Sequence, residues 1–202
     1  DEMVTGAGAR VRFHSTLCAV QKRAGDAVDA LIVADKTGLR AYRSTVYVDC
    51  TGDGDLAAWA GAPFEKGDAD GHLQPATHCF VIGNIDEAAL ARGPRVHYYD
   101  PGSPVWKALR SDRYGLIDDL HACNRKIGPG TYGFNTGHVH EIDNTDPDSV
   151  TRGLIRGRRM ARQYRDAFAE YHPAFSGAFL AATGSLLGVR ETRRVLGDYK
   201  LT

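Results

Sequence analysis

Residues 46–62 read VYVDCTGDGDLAAWAGA, and this stretch decides the fold that the sequence predicts. Its β-branched start predicts a strand, residues 51–55 predict a sharp turn, and residues 56–60 predict a short helix that Gly61 can end. A strand that stops at Gly and Asp and restarts as a helix leaves backbone N–H groups free at the carboxyl end of a sheet. Because α/β proteins bind cofactors and phosphates at such places, the stretch predicts one part of a cofactor site.

Length, charge and cysteine spacing narrow the class of protein. A chain of 202 residues forms one large domain or two small ones. The 25 basic residues equal the 25 acidic ones, which argues against a nucleic-acid groove or an anionic membrane surface as partner. The four cysteines are widely spaced, without a C-x-x-C pair, and three lie in apolar runs where a thiol packs as a small hydrophobe. This usage predicts a reduced, cytoplasmic compartment rather than a disulfide framework or a zinc site.

The first 146 residues predict two regions of different character. Residues 11–20, 28–35 and 39–50 predict a β-meander that leads into the turn, with a hairpin loop at 36–38. Residues 63–146 alternate short segments with loops rich in Gly, Pro and Asp, which predicts a smaller, mostly β subdomain. Its expected strands and helices are 77–82, 95–99 and 131–142 (strands), and 105–109 and 116–124 (helices).

A long helix is predicted from residue 147. Asp146 is a suitable N-cap and Pro147 suits the first helical position. Apolar residues recur at steps of three and four over about 25 residues, and the helix is expected to end at His172, before Pro173. Gly153 and Gly157, four residues apart, allow a neighbouring backbone to come close. A second short helix is expected at 174–183.

Two motifs that suggest chemistry are weak. Residues 128–133 match G-x-G-x-x-G as letters, but the segment has Pro at its second position and lacks the strand–helix context, so it is interpreted as a loop. His138 and His140 share one face of a strand-like run. No third metal ligand stands at a diagnostic spacing, which favours polar groups lining a substrate cleft over a metal site. A metal-dependent enzyme that uses the two histidines stays open as an alternative.

Four blocks of the chain resemble one family, the FAD-dependent oxidoreductases with the glutathione-reductase-like two-dinucleotide-binding fold, akin to the flavin subunit of heterodisulfide reductase. The blocks are STVYVDCTGDGDLAAWAGAPFEKG (44–67), THCFVIGNID (77–86), TYGFNTGHVHEIDNTDPDSVTRGLIRGRR (131–159) and LLGVRETRRVLGDYKLT (186–202). The resemblance implies an α/β protein (α+β within this chain): part of an FAD/NAD(P)-binding Rossmann-like domain with a β-meander, plus a smaller substrate subdomain. It implies FAD as cofactor and a hydride or electron transfer with a small-molecule substrate.

The resemblance also implies roles for individual residues. It places residues 1–62 and 147–202 in the FAD-binding part and 63–146 in the substrate-facing part. The residues expected against FAD are Thr51, Gly52, Asp53 and Gly54 in the turn, Ala19 and Val20 at the end of the first strand, and Glu191 of the R-E-T-R run. The residues expected on the substrate side are Asn135, His138, His140, Arg190 and Arg193. The arginines of the R-E-T-R run fit equally a place near the isoalloxazine or a buried ion-pair network.

Two family motifs are missing from the chain. The glycine fingerprint is expected before Asp1 and a Gly-Asp segment after Thr202, so the sequence is interpreted as an internal fragment that would not retain FAD tightly by itself. The partner expected besides the substrate is the remainder of the same flavoprotein or a second copy of the chain. A non-catalytic module that binds a ligand or partner is the remaining alternative.

Overall fold

A computed structural model describes residues 1–25 and 27–199; Asp26 and the last three residues of the 186–202 motif lie outside the described residues. The described chain is a mixed α+β protein built of small antiparallel sheets, which confirms the predicted fold class. It forms two compact units. Unit 1 comprises Asp1–Lys66 and the segment that starts at Arg193, and unit 2 comprises Gly67–Thr192. Within the described residues, no helix is both long and apolar enough to cross a bilayer.

Unit 1 contains most of the predicted meander. Its strands and helices are α1 (Glu2–Gly6), β1 (Thr16–Lys22), β2 (Val28–Asp35), β3 (Gly38–Tyr42), α2 (Asp55–Ala60), β4 (Phe64–Lys66) and β9 (Arg193–Val195). Strands β1, β2 and β3 form an antiparallel sheet in sequence order, and β4 pairs with β9. The helix α1 precedes the meander, and β1 begins at Thr16 rather than at residue 11.

The third strand is shorter than predicted. It ends at Tyr42, and residues 43–50 have no strand pairing among the described residues. The Tyr47 hydroxyl anchors this segment, because it donates to the Asp29 carbonyl at 2.9 Å and accepts from the Ser44 N–H at 3.0 Å. Val48 is 82% exposed. β-Branched residues favour an extended backbone, but a strand also needs a partner, and the prediction of a strand up to residue 50 is wrong for that reason.

Unit 2 holds the hydrophobic core. Its strands and helices are β5 (Phe80–Gly83), α3 (Glu87–Arg92), α4 (Pro104–Leu109), β6 (Ala122–Gly128), β7 (Thr131–Thr136), α5 (Pro147–Tyr171) and β8 (Phe179–Thr183). The strands form one antiparallel sheet in the order β6-β7-β5-β8. Phe80 of β5 stacks on Phe134 of β7 with ring centroids 5.2 Å apart, and Phe134 contacts Phe168 of α5 at 5.7 Å. The helix α5 therefore covers one face of the sheet.

The helix α5 matches its prediction. Asp146 caps it by accepting the N–H of Asp148 at 2.9 Å, and it ends at Tyr171. A Cβ atom at Gly157 would lie 2.4 Å from the Cβ of His78, and one at Gly153 would lie 2.7 Å from Ile142. Both glycines therefore permit a close approach, although side chains approach them and not the neighbouring backbone that was predicted.

Three predicted elements of unit 2 are wrong. Residues 116–124 do not form a helix, because Ala122 starts β6 and pairs with Thr136. Residues 174–183 do not form the expected helix but contain one 3₁₀ turn and then β8, which pairs with β5. Residues 95–99 are a turn rather than a strand. In the first two cases pairing with a distant segment outweighs local propensity.

The boundaries of the units differ from the predicted three-part division. The units divide after Lys66 and after Thr192, whereas the sequence predicts boundaries after residues 62 and 146. The long helix α5 packs within unit 2, because its apolar stripe covers the sheet there. The functional division into an FAD-binding part and a substrate-facing part stays a prediction.

Candidate functional site

Asp49 organises the Gly/Asp turn of unit 1. Its Oδ1 accepts the N–H of Thr51 at 3.0 Å and the Thr51 hydroxyl at 2.8 Å, and its Oδ2 accepts the N–H of Ala57 at 2.9 Å. The Thr51 hydroxyl accepts the N–H of Asp55 at 2.7 Å. Burial raises the pKa of Asp49, but the hydrogen bonds from Ala57 and Thr51 outweigh this effect and hold the pKa below its usual value. Sequence reasoning missed Asp49 because this residue precedes the Thr-Gly-Asp motif.

The two glycines of the turn face different surroundings. Gly52 and Gly54 adopt φ angles of +88° and +60°, which an L side chain rarely adopts. A Cβ atom at Gly54 would lie 2.6 Å from Val195, whereas a Cβ atom at Gly52 would meet no atom within 4 Å. Thr51 and Gly52 are exposed, and Asp53 is only 6% exposed. Of the predicted cofactor residues in the turn, Thr51 and Gly52 therefore form the accessible surface.

Arg193 is held inside unit 1. Its guanidinium forms an ion pair with the Asp55 carboxylate and lies 5.6 Å from the centre of the Phe64 ring. The side chain is 8% exposed. These contacts fix the start of α2 against β9 and match the buried ion pair that was one of the two roles considered for the R-E-T-R run.

Arg190 and Glu191 lie in unit 2 and are more open. The Arg190 Nε is 3.9 Å from a Glu191 carboxylate oxygen, and both side chains are at least 40% exposed. Between this pair and Arg193, the hydroxyl of buried Thr192 accepts the N–H of Asn144 at 3.1 Å. The four residues therefore occupy three different environments.

Ala19 and Val20 lie in the middle of β1. Ala19 pairs with Ile32 and Val20 with Leu31 of β2. Ala19 is exposed and Val20 is half-buried. The two residues therefore lie inside the strand and not at its end, where the resemblance places them, and their contact with a cofactor stays a prediction.

A groove of about 990 Å³ opens in unit 2. Its floor includes Cys123, Asn135 and Cys79, which stand in one row across β6, β7 and the start of β5. The sulfur of Cys79 lies 4.0 Å from Oδ1 of Asn135. The groove is also lined by side chains from the turn at 95–99 and by one from β6: Arg95, Val96, His97 and Tyr99 from the turn, and Arg125 from β6. Asn135 is therefore the predicted substrate-side residue that lines this groove.

The cysteines differ from their expected role. All four thiols are free and exposed rather than packed as small hydrophobes, and two of them line the groove. Partial burial raises the pKa of the Cys79 thiol, which keeps it in the neutral form at pH 7. Side chains alternate between the two faces of a strand, so Cys79 and Asn135 could be placed on one face once their strands are known to pair. The sequence does not show that pairing.

His138 and His140 belong to a different place in unit 2. His138 Nδ1 lies 2.8 Å from Asp119 Oδ2, and His140 Nε2 lies 3.9 Å from the same oxygen. The His138 ring stacks on that of His121 with centroids 4.3 Å apart. Neither His138 nor His140 is among the residues that line the groove. The structure therefore separates them from Asn135, although the sequence groups all three on the substrate side.

A family model described as "FAD dependent oxidoreductase" matches residues 1–202. No curated protein and no solved structure matches the chain.

Proposed function

We propose that this chain transfers a hydride or electrons between a small-molecule substrate and FAD. The chain belongs to the FAD dependent oxidoreductase family, and the proposal starts from that membership. The match of the family model over residues 1–202 is the observation that carries this proposal. FAD, the cofactor of the family, supplies the redox chemistry, and the protein contributes binding, orientation and electrostatics.

The turn at residues 51–54 fits part of FAD. Thr51 and Gly52 are exposed, and Gly52 has open space where a side chain would stand, so a ligand can reach its backbone closely. No hydrogen bond from the Gly52 N–H is found among the described residues. Thr51 offers a hydroxyl whose position is fixed by Asp49. These groups support a contact with the cofactor on this side of the turn.

The charge of the turn favours a neutral part of FAD. Asp49 and Asp55 flank the exposed surface, although Asp49 is hydrogen-bonded and Asp55 is paired with Arg193. Carboxylates near a phosphate repel it, whereas they accept hydrogen bonds from hydroxyl groups. We therefore assign the turn to a hydroxyl-bearing part of FAD and not to the pyrophosphate.

The groove of unit 2 is the proposed substrate site. Its apolar walls suit a hydrocarbon or ring, and Asn135 can donate and accept hydrogen bonds from the floor. Arg95 and Arg125 add guanidinium groups, which recognise a carboxylate in a bidentate manner. This lining supports a substrate that has a carboxylate and an apolar portion. A cytoplasmic location is proposed with it, since free exposed thiols persist in a reducing compartment.

Anaerobic flavin reduction tests the proposal. The chain is incubated with FAD, binding is followed by flavin fluorescence, and loss of the oxidised absorbance is followed after addition of a panel of carboxylic acids with apolar substituents. An active acid should reduce the flavin, and Arg125→Gln should raise the acid concentration that gives half of the maximal reduction rate about tenfold or more, the loss of one charge-assisted contact. Arg113→Gln, outside the groove and paired with Glu170, is the matched control.

Two outcomes would contradict the proposal. If the chain failed to bind FAD at any concentration, FAD would not be its cofactor. Binding of FAD without reduction by any acid or by NADH or NADPH, in a sample that dithionite still bleaches, would favour the alternative of a non-catalytic binding module.

A further inference from the structure

The hairpin of β6 and β7 brings four metal-ligand side chains together at its open end. Ala122 pairs with Thr136, and the Gly137 N–H donates to the His121 carbonyl at 2.8 Å. The loop before β6 and the segment after β7 therefore lie side by side. Their ligand residues are Asp118 and Asp119 on the loop and His138 and His140 on the segment. The third ligand that the spacing of the histidines lacked comes from about 20 residues earlier in the chain.

The distances are somewhat longer than those between ligands on a single ion, and a small rotation would close them. One ligand atom from each of Asp118, Asp119 and His140 lies within 4.8 Å of the others, and His140 Nε2 lies 3.9 Å from Asp119 Oδ2. Zinc bonds to nitrogen and carboxylate oxygen are about 2.0–2.2 Å, so two ligand atoms on one tetrahedral ion lie about 3.3–3.6 Å apart. The three side chains are partly exposed, which leaves room for the small rotation that closes the set and for water in the open positions.

His138 orients the central carboxylate. Its Nδ1 lies 2.8 Å from Asp119 Oδ2, while Asp119 Oδ1 accepts the N–H of His121 at 2.7 Å. A histidine that donates to a ligating carboxylate holds that carboxylate in one orientation, as outer-shell partners do in metal sites. Arg156 lies 3.0 Å from Asp118 Oδ2 and balances part of the negative charge. Contacts to both carboxylate oxygens thus hold the Asp119 side chain in one orientation.

A separate observation points to a missing ligand here. The Tyr164 side chain is fully buried, and its hydroxyl has no hydrogen-bond partner among the described residues. The hydroxyl lies 2.9 Å from where a Cβ atom of Gly137 would stand, beside His138. Burial raises the pKa of Tyr164, and the charges of Asp119 and Asp118 add to this effect. A buried hydroxyl without a partner is costly, and water held by an ion would satisfy it.

We propose that Asp118, Asp119 and His140 bind a first-row divalent cation, with Zn²⁺ as the probe ion and His138 as the positioning residue. Two carboxylate oxygens and one imidazole nitrogen suit Zn²⁺, Mn²⁺ or Fe²⁺. Ca²⁺ prefers six to eight oxygen ligands, and Cu⁺ prefers sulfur. The site lies away from the groove, and its existence does not depend on the proposed function.

A second His/Asp group supplies the control. Asp68, Asp70 and His72 also lie within 4.8 Å of one another, all exposed. They belong to one five-residue turn in which Asp68 Oδ1 accepts the N–H groups of Asp70 and His72 at 2.9 Å. This group has no buried, unpartnered side chain next to it among the described residues. We therefore expect it not to contribute to tight binding.

Zinc titration by calorimetry, with cobalt absorption as a second readout, tests the site. The chain should bind one equivalent of Zn²⁺ tightly, and Co²⁺ should give visible d–d bands that zinc abolishes. His138→Ala should weaken binding about 10–100-fold, as loss of an outer-shell partner does, and Asp119→Asn or His140→Ala should weaken it further. His72→Ala should change affinity less than twofold, which corresponds to less than about 0.4 kcal/mol.

Equal zinc affinity in the chain and in both Asp119→Asn and His140→Ala would overturn the proposal, as would a loss confined to His72→Ala. Asparagine keeps an oxygen for the His121 N–H, so Asp119→Asn is expected to fold, and circular dichroism checks this. The readout is binding of the ion, so its outcome is independent of FAD or of any activity.

Discussion

The same four-residue motif occurs twice in unit 1, as DKTG at residues 35–38 and as DCTG at residues 49–52. In both, the aspartate Oδ1 accepts the threonine N–H and the threonine hydroxyl: 2.7 and 2.5 Å for Asp35 with Thr37, and 3.0 and 2.8 Å for Asp49 with Thr51. In both, the glycine has a positive φ angle and open space around its missing side chain. The two turns therefore have the same local structure.

The two motifs differ in the segment that comes after each of them. After DKTG comes Arg40, which pairs with Asp35 at 3.2 Å, and the chain turns back as the β2–β3 hairpin. After DCTG, Asp49 reaches forward to the N–H of Ala57, and the chain continues as α2. The comparison teaches that the motif makes a turn in either case, and that only the second turn is built into a helix start and a buried ion pair.

The buried ion pair should give the largest difference between the two turns. Asp55→Asn removes the partner of the nearly buried Arg193, and we expect a loss of about 3 kcal/mol of unfolding free energy, since it leaves a buried charge unpaired. Arg40→Gln breaks the exposed pair of the first turn and should cost far less. Urea denaturation measures both, and equal losses would mean that Arg193 is exposed in solution.

The glycines should separate backbone strain from cofactor contact. Gly52→Ala and Gly38→Ala each place a Cβ atom at positive φ with free space, so each should cost about 1–2 kcal/mol of stability. Gly52→Ala alone should also weaken FAD binding by about tenfold, or about 1.4 kcal/mol, measured by fluorescence titration. Equal weakening by both changes would show that strain, and not contact, controls the affinity.

Replacement of Asp49 should destabilise α2 more than replacement of Asp35 destabilises the β2–β3 hairpin. Asp49→Ala removes the acceptor for the Ala57 N–H, and we expect a cost of about 1 kcal/mol, as for loss of a helix cap. Hydrogen exchange of the Ala57 amide should accelerate in Asp49→Ala and stay unchanged in Asp35→Ala. An unchanged Ala57 amide in Asp49→Ala would contradict the role of Asp49.

The smallest expected effect is on pH dependence. Hydrogen bonds from Thr37 lower the pKa of Asp35, and those from Ala57 and Thr51 lower the pKa of Asp49 against an opposing effect of burial. Because both pKa values are lower in the folded state, both carboxylates stabilise it above the unfolded pKa of about 3.9, and this stabilisation is lost as the pH falls further. Between about pH 4 and pH 2, NMR should report the two turns loosening, and Asp49→Asn should remove the change at α2 alone.

Elements with a strong local signal were predictable. The cap at Asp146 and the apolar repeat predicted α5, and Gly61 predicted the end of α2, where φ is +105°. Residues 116–124 and 174–183 failed because their strand character depends on β7 and β5, which are distant in the sequence. The candidate site divides in the same way: the turn at 51–54 was predictable, but Asp49 and Asp119 were not.

The amino-acid sequence by itself determined the family and the turns at 35–38 and 49–52, because hydrogen bonds from Thr to Asp and glycines at positive φ act within a few residues. The tertiary structure decided which side chains meet. It placed Asn135 beside Cys79 in the groove, brought Asp119 to His138 and His140, and buried Arg193 against Asp55. These contacts join segments 19 to 138 residues apart, and pairing of strands and burial of apolar surface, rather than any local pattern, bring such segments together.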